Sequence, residues 1–222
     1  RKVNVGMDLT GFKEIFWLEY LHRLWGRLIF FAALIPLLWF LWRKQIEPPL
    51  VRRMVAVPLL VAANGALGWL MVASGLVDIP RVSPYRLTAH LGLAIAIYGY
   101  VLWLALGLLY PAQGKVEWAP LRRFGIAVTA LVFFMALSGG FVAGTKAGYA
   151  FNTFPLMNGR FVPEGIFGMA PWWVNLFENI ATVQFSHRLV AYLLLLAIPA
   201  FWWWARRFEL PSRAQWLLHG LL

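Results

Sequence analysis

Long apolar runs alternate along the chain with short segments that are mostly polar and basic. A helix needs about 20 residues to cross the hydrocarbon core of a bilayer. Five runs are close to that length, and they cover residues 15–42, 54–77, 87–109, 124–142 and 180–204. A sixth helix is predicted to begin near Ala214, and residues 143–179 form a long loop. Because no run shows the alternation of barrel strands, the pattern predicts a helical bundle.

The composition agrees with a membrane-embedded chain. The sequence is 61% hydrophobic, only 13% of it is charged, and it contains 13 tryptophans. A soluble domain of this size does not carry that balance, so we predict an all-α integral membrane protein in contact with the lipid bilayer.

The net charge of +11 is distributed unevenly between the loops. Loops 43–53, 110–123 and 205–213 contain ten Lys and Arg residues, whereas loops 78–86 and 143–179 contain four. Basic residues concentrate in short cytoplasmic loops, so the first group is predicted to face the cytoplasm and the second the outer side. Because this bias explains the positive charge, nucleic acid is not an expected partner.

The sequence has no cysteine, which excludes disulfides, thiolate metal sites and thiol catalysis. Residue 1 is arginine, and no signal-peptide pattern follows it. The last residues, "SRAQWLLHGLL", stop a short way into an apolar helix. We therefore expect a fragment that has lost sequence at both ends.

Three of the four histidines lie near the outer end of a predicted span. His22 belongs to the first span, His90 to the third and His187 to the fifth, whereas His219 lies at the cytoplasmic start of the incomplete helix. An ionisable side chain inside a membrane is costly unless it has a partner or a function. Three histidines at one depth are therefore predicted to be ligands and not ordinary core residues.

A short internal repeat surrounds two of these histidines. The first span reads "EYLHRLWGRLIFF" and the fifth reads "QFSHRLVAYLLLL", with a small residue four positions after each histidine. Both copies begin an outer-to-inner span, which favours a duplicated four-helix unit. The same spacing as between His22 and His90 would put a partner for His187 near residue 255, beyond this chain.

Histidine pairs in an apolar bundle suit haem. Neutral imidazoles on facing helices bind haem iron, and the macrocycle needs small residues where it lies against a helix. Such residues follow each histidine by one turn: Gly26, Ala94 and Ala191. Four cations near the outer surface are candidate propionate partners: Arg23, Arg27, Arg86 and Arg188. Their alternative role is to extend to the membrane interface without binding a ligand.

Glu19 lies three residues before His22, so both side chains project from one helix face. A carboxylate beside a haem edge can move protons or stabilise a developing cation. The second copy has Gln184 there, so the halves look unequal. The alternative interpretation of Glu19 is a surface carboxylate paired with Lys13 or Arg23.

Four segments together resemble the haem A synthase family of the alphaproteobacterial and mitochondrial type. They are "GFKEIFWLEYLHRLWGR", "RLTAHLGLA", "AGTKAGYAFNTFPLMNGRFVP" and "FSHRLV", and the resemblance covers essentially all of the chain. It implies eight spans in a pseudo-symmetric pair of four-helix halves. Residues 1–121 would be the N-terminal, substrate-haem half without its first span. Residues 122–222 would be a truncated haem b half. Some relatives carry cysteine pairs in their outer loops, which this chain does not.

The resemblance also implies an activity, the oxidation of the C8 methyl group of haem O to a formyl group. The reaction passes through a hydroxymethyl intermediate and takes its oxygen from water. His22 and His90 would bind the substrate haem O, His187 would bind the cofactor haem b, and Glu19 would be catalytic. Haem iron is the only metal implied.

The resemblance further implies partners and a location. Haem O synthase and a membrane electron acceptor are the protein partners. The protein would lie in the bacterial inner membrane, with its haem sites towards the periplasmic side.

The main alternative is a b-type cytochrome that transfers electrons without modifying haem. It also needs histidine pairs, but it does not need Glu19 on the histidine face of one half. A transporter would have polar residues near the midplane and broken helices. A copper chaperone would have cysteines or a methionine-rich cluster. Neither pattern is present.

Overall fold

The computed structural model describes residues 8–75, 82–110 and 118–221, and most of these residues are helical. The helices are α1 Leu9–Trp42, α2 Pro48–Gly75, α3 Pro84–Leu109, α4 Ala119–Thr145, α5 Ala147–Ala150, α6 Ile180–Ala205 and α7 Ser212–His219, with a 3₁₀ helix at Trp172–Leu176. Within the described ranges there is no extended strand. The predicted all-α fold is therefore confirmed.

Five of these helices, α1 to α4 and α6, are long and apolar enough to cross a membrane. They correspond to the five predicted spans, and α7 begins two residues before the predicted start. Several helices begin earlier than their apolar runs. Helix α1 starts at Leu9 because the carboxylate of Asp8 caps it, accepting a 2.8 Å hydrogen bond from the backbone N–H of Gly11. The predicted end of the second span, residue 77, lies outside the described residues.

The chain divides into two compact units. The first consists of Arg1–Arg86 and Leu93–Pro111, and in it α1 packs along α2. The hydroxyl of Tyr100 donates a 3.0 Å hydrogen bond to the backbone carbonyl of Arg53, whose guanidinium lies 5.6 Å from the ring centre of Trp103. These contacts join the inner part of α3 to the start of α2.

The second unit consists of Leu87–Gly92 and Ala112–Leu222, and its main contact is between the antiparallel helices α4 and α6. Near the start of α4, Phe124 packs against Phe201 and Trp204 of α6, with ring centres 5.4 and 5.7 Å apart. Helix α7 closes this end through a buried cluster of Leu121, Ala205 and Leu218. The predicted division into halves 1–121 and 122–222 is not tested by these units and stays a prediction.

The predicted loop 143–179 is ordered by specific turns and side chains. Helix α4 ends at Thr145, and the next residue, Lys146, has a left-handed backbone conformation. Asn158 and Gly159 both have positive φ, 52° and 86°, as the two central residues of a tight hairpin turn require. This turn pairs the backbone of Met157 with that of Arg160.

The last part of the loop is held by Asn175, whose side chain is fully buried. Its amide nitrogen donates to the carbonyls of Met169 and Trp172 at 2.7 and 2.8 Å, and its oxygen accepts from the N–H of Met169 at 2.9 Å. Asn179 donates to the same oxygen at 3.0 Å and caps the N-terminus of α6. The loop therefore fixes the position at which α6 begins.

Candidate functional site

His187 is a candidate ligand whose ring contacts the neighbouring helix α4. It lies two turns inside α6, and its Nδ1 is 2.8 Å from the hydroxyl oxygen of Ser138 on α4. The same hydroxyl donates a 2.8 Å hydrogen bond to the backbone carbonyl of Met135. A Cβ atom added to Gly139 would come within 3.4 Å of Cε1 of His187, so the ring lies against the backbone of α4.

This arrangement fits a haem-iron ligand. An imidazole that is hydrogen-bonded through Nδ1 has Nε2 available for a metal, and such a second partner is typical of metal-bound histidines. Ala191, one turn further along α6, is partly buried. The ligand role of His187 stays a prediction, because nothing in the fold tests whether iron binds there.

His90 lies beside the same stretch of α4. Two residues before it, Thr88 approaches Gly140 so closely that an added Cβ would be 2.7 Å from the threonine hydroxyl oxygen. Two residues after it, a Cβ on Gly92 would come within 2.6 Å of Leu137. Residues 88–92 therefore run along residues 137–140, which include the partner of His187. Both histidines lie at one level of α4, as their positions along the predicted spans imply.

Glu19, His22, Arg23 and Arg27 all lie on exposed surface of α1. The carboxylate of Glu19 forms an ion pair with the guanidinium of Arg23, one turn away, and about half of each side chain is exposed. This is one of the two pairings that the surface interpretation of Glu19 anticipates. Its catalytic role stays a prediction, and so does the pairing of His22 with His90, which belong to different compact units.

The copies of the repeat differ in burial as well as in charge. Gln184, which occupies the position of Glu19, is only 8% exposed, and its Oε1 has no hydrogen-bond partner among the described residues. A neutral amide tolerates such burial better than a carboxylate. The small residues one turn after the histidines differ too. Ala191 is partly buried, whereas no described side chain or neighbouring helix lies within 4 Å of a Cβ added to Gly26.

Arg188 is directed towards the outer loop. Its Nη2 donates to the carbonyl of Phe151 at 2.8 Å, and its Nη1 donates to the carbonyls of Pro155 and Leu156 at 3.3 Å each. Tyr192, one turn further along α6, also donates to the carbonyl of Pro155 at 3.2 Å. The role of Arg188 as a propionate partner stays a prediction. So does that of Arg86, which is exposed in the first turn of α3.

His219 has a different setting from the other three histidines. Its Nδ1 accepts a 3.3 Å hydrogen bond from the indole N–H of Trp202, near the end of α6. This contact fixes α7 beside α6, at the end opposite to His187.

The sequence interpretation did not identify Ser138 or Asn175. A serine in an apolar run gives no signal of its own, because its hydroxyl commonly bonds to the preceding turn of the same helix. For Asn175 a signal was available, since an asparagine in an apolar loop must find hydrogen-bond partners.

Comparison with known proteins relates the whole chain to one family. The family profile described as "Cytochrome oxidase assembly protein" matches residues 1–222. A protein of Nitrosospira multiformis named "Heme A synthase" is 52% identical over 97% of this chain and 61% of its own length. One from Nitrosomonas eutropha with the same name is 48% identical over 100% of this chain and 63% of its own length.

A plant protein is also similar. "Heme A synthase COX15" of Arabidopsis thaliana is 42% identical over 98% of this chain and 50% of its own length. The chain thus spans about half to three-fifths of the length of the curated relatives it matches. No solved structure gives a significant match.

Proposed function

This chain belongs to the cytochrome oxidase assembly protein family, and we propose from this membership that it forms part of a haem A synthase. The observation that carries the proposal is the match of the family over residues 1–222, together with relatives named for haem A synthesis at 42–52% identity. The five apolar helices provide the membrane setting that a haem with a long apolar tail requires.

The proposed reaction oxidises the C8 methyl group of haem O to a formyl group. One water molecule supplies the oxygen. Together, the methyl group and this water lose four electrons and four protons. The first two-electron oxidation gives the hydroxymethyl group, and the second gives the formyl group. The electrons pass to a membrane electron acceptor, which is a partner in the proposal, as is the haem O synthase that supplies the substrate.

Glu19 is the proposed catalytic residue. Its carboxylate can accept a proton from the attacking water or stabilise positive charge that develops on the methyl carbon. The neighbouring Arg23 forms an ion pair with this carboxylate in the free protein. Gln184 at the equivalent position of the second copy cannot accept a proton, which supports assigning the chemistry to the first half.

The histidines divide between two haems in this proposal. His22 and His90 would bind the iron of the substrate, and His187 would bind the iron of haem b. Haem b, when bound, supplies one-electron transfer. The proposed partners of the propionates are Arg23, Arg27, Arg86 and Arg188. Arg188 also donates hydrogen bonds to the outer loop.

The proposed location is the bacterial inner membrane with the haem sites towards the periplasm. The excess of Lys and Arg in loops 43–53, 110–123 and 205–213 supports this orientation. His90 and His187 lie within two turns of the opposite ends of α3 and α6, and His22 lies 13 residues after the start of α1.

The test is to extract haems from the full-length protein, expressed in cells that make haem O, beside the Glu19→Gln variant. Glu14→Gln is the matched control, because Glu14 is an exposed carboxylate on another face of α1. We expect haem A from the parent and the control, and a loss of haem A in Glu19→Gln. Haem b alone in all three would overturn the proposal and favour the electron-transfer cytochrome.

A further inference from the structure

The hydroxyl of Ser138 on α4 lies within hydrogen-bond distance of Nδ1 of His187. The same hydroxyl also donates a hydrogen bond within its own helix. Its oxygen lies 2.8 Å from the carbonyl oxygen of Met135, on the preceding turn of α4, and a carbonyl oxygen can only accept the single hydroxyl hydrogen. Its oxygen lies 2.8 Å from Nδ1 of His187. A hydroxyl has one hydrogen but two acceptor lone pairs, so both bonds form together only if Nδ1 of His187 carries a proton and donates.

The tautomer of His187 follows from this network. In a neutral imidazole only one nitrogen carries a hydrogen. With that hydrogen on Nδ1, Nε2 has a free lone pair, which is the form that binds a metal. The opposite tautomer would make Ser138 donate to Nδ1 and give up its bond to Met135, and it would place a hydrogen on the nitrogen that must bind iron.

The backbone of α4 also restricts the ring. The absence of a side chain at Gly139 allows Cε1 of His187 to approach, since an added Cβ would be only 3.4 Å away. The ring therefore has its Cε1 atom against the helix backbone at Gly139 and its Nδ1 bonded to Ser138, the preceding residue. These are independent contacts, one steric and one polar, and both come from adjacent positions of α4.

We propose that Ser138 is a positioning residue that fixes the tautomer and orientation of His187 so that Nε2 faces the iron of haem b. The inference rests on the proposed role of His187 as a haem ligand and extends it to a residue on another helix. A hydrogen bond from Nδ1 makes the imidazole a stronger donor to the metal. A stronger donor stabilises ferric over ferrous iron, so the bond lowers the reduction potential of the haem.

The test uses the full-length protein with Ser138→Ala, Ser138→Thr and Thr129→Ala. Thr129→Ala is the matched control, because the Thr129 hydroxyl donates a 2.8 Å bond to the carbonyl of Gly125 on the same helix. Both alanine variants lose a bond from hydroxyl to helix carbonyl, but only Ser138→Ala loses the bond to His187. Haem affinity and reduction potential are measured on the spectral component that disappears in His187→Ala.

Ser138→Ala is expected to lower haem affinity about 10- to 100-fold and to raise the potential. Ser138→Thr and Thr129→Ala are expected to behave like the parent. Wild-type affinity and potential in Ser138→Ala would overturn the proposal, and so would equal impairment of the alanine and threonine variants, because packing would then be the cause. If His187→Ala leaves the haem spectrum unchanged, the assignment of His187 as a ligand fails, and with it this inference.

Discussion

Arg188 of α6 donates a 2.8 Å hydrogen bond from Nη2 to the backbone carbonyl of Phe151, which precedes it by 37 residues. Because Arg188 lies eight residues inside α6, at about 1.5 Å per residue its Cα is roughly 12 Å from the start of the helix. The loop therefore descends beside a membrane-spanning helix. Irregular backbone at that depth needs hydrogen-bond partners from the protein, and Arg188 supplies three of them.

Arg188→Met is expected to release this part of the loop while keeping most of the apolar side-chain volume. Bonds from a charged donor contribute about 1.5–3 kcal/mol each. Only the bond to Phe151 is short, and the two bonds of 3.3 Å share one donor atom, so we expect a local loss close to that of one good bond, about 2–3 kcal/mol. Hydrogen exchange at the bonded amides of Met157 and Asn158 would then accelerate roughly 30- to 150-fold. Mass spectrometry of peptides that cover residues 151–160 measures this.

The control for that variant is Arg160→Met in the same loop. Its guanidinium pairs with Glu164 at 2.6 Å, and both side chains are largely exposed. Exposed pairs contribute about 0–1 kcal/mol, so exchange should change little. Similar exchange in the parent and in Arg188→Met would show that the loop does not depend on Arg188.

Asn175→Ala is expected to destabilise the outer loop strongly. The fully buried amide satisfies the backbone of Met169 and the carbonyl of Trp172, and removing it leaves these groups without partners. An unsatisfied buried polar group costs about 1–3 kcal/mol, so the total should reach about 2–4 kcal/mol. Thermal unfolding of the solubilised protein measures the loss. Asn152→Ala, at an exposed position of the same loop, should unfold like the parent.

The five spans could be predicted from sequence because the length and apolarity of a membrane helix are fixed by the bilayer. Their starts could not, since polar residues continue a helix until a cap or proline ends it. Asp8 extends α1 to Leu9, and proline in the first turn of α2 and α4 allows an early start.

The site could be predicted only in part. We could recognise His22, His90 and His187 because a polar side chain inside a span is costly unless it has a partner or a function. Ser138 was not, because no short-range pattern records which residue of α4 faces His187. The contacts of Arg188 with the loop depend on a tertiary arrangement that brings distant carbonyls to it.

Gly140→Ala is expected to push the start of α3 away from α4 at Thr88 and to destabilise the protein. An added Cβ would be 2.7 Å from Oγ1 of Thr88 and 3.1 Å from its Cα, so backbone must move. Overpacking of this kind costs about 1–3 kcal/mol. Gly65→Ala on α2 is the control, because no described side chain lies within 4 Å of its added Cβ. It should be neutral or stabilise the helix by up to about 1 kcal/mol. Equal melting temperatures of the two variants would argue against close packing at Gly140.

Substitutions in the Glu19–Arg23 pair can distinguish an effect on catalysis from an effect on stability. About half of each side chain is exposed, so Glu19→Gln and Arg23→Gln should each change the free energy of unfolding by less than about 1 kcal/mol. If the carboxylate acts in catalysis, Glu19→Gln should lower the rate of haem A formation about 100-fold or more.

Arg23→Gln keeps the carboxylate, so it should retain much more activity than Glu19→Gln. Rates of haem O conversion by the two full-length variants, normalised to folded protein, provide the comparison. Equal losses in both variants would contradict a catalytic role specific to the carboxylate, because Arg23→Gln keeps the carboxylate while it breaks the ion pair and removes a proposed propionate partner. A large loss confined to Glu19→Gln, with unchanged unfolding, would assign the catalytic role to the carboxylate, because the two variants break the same ion pair.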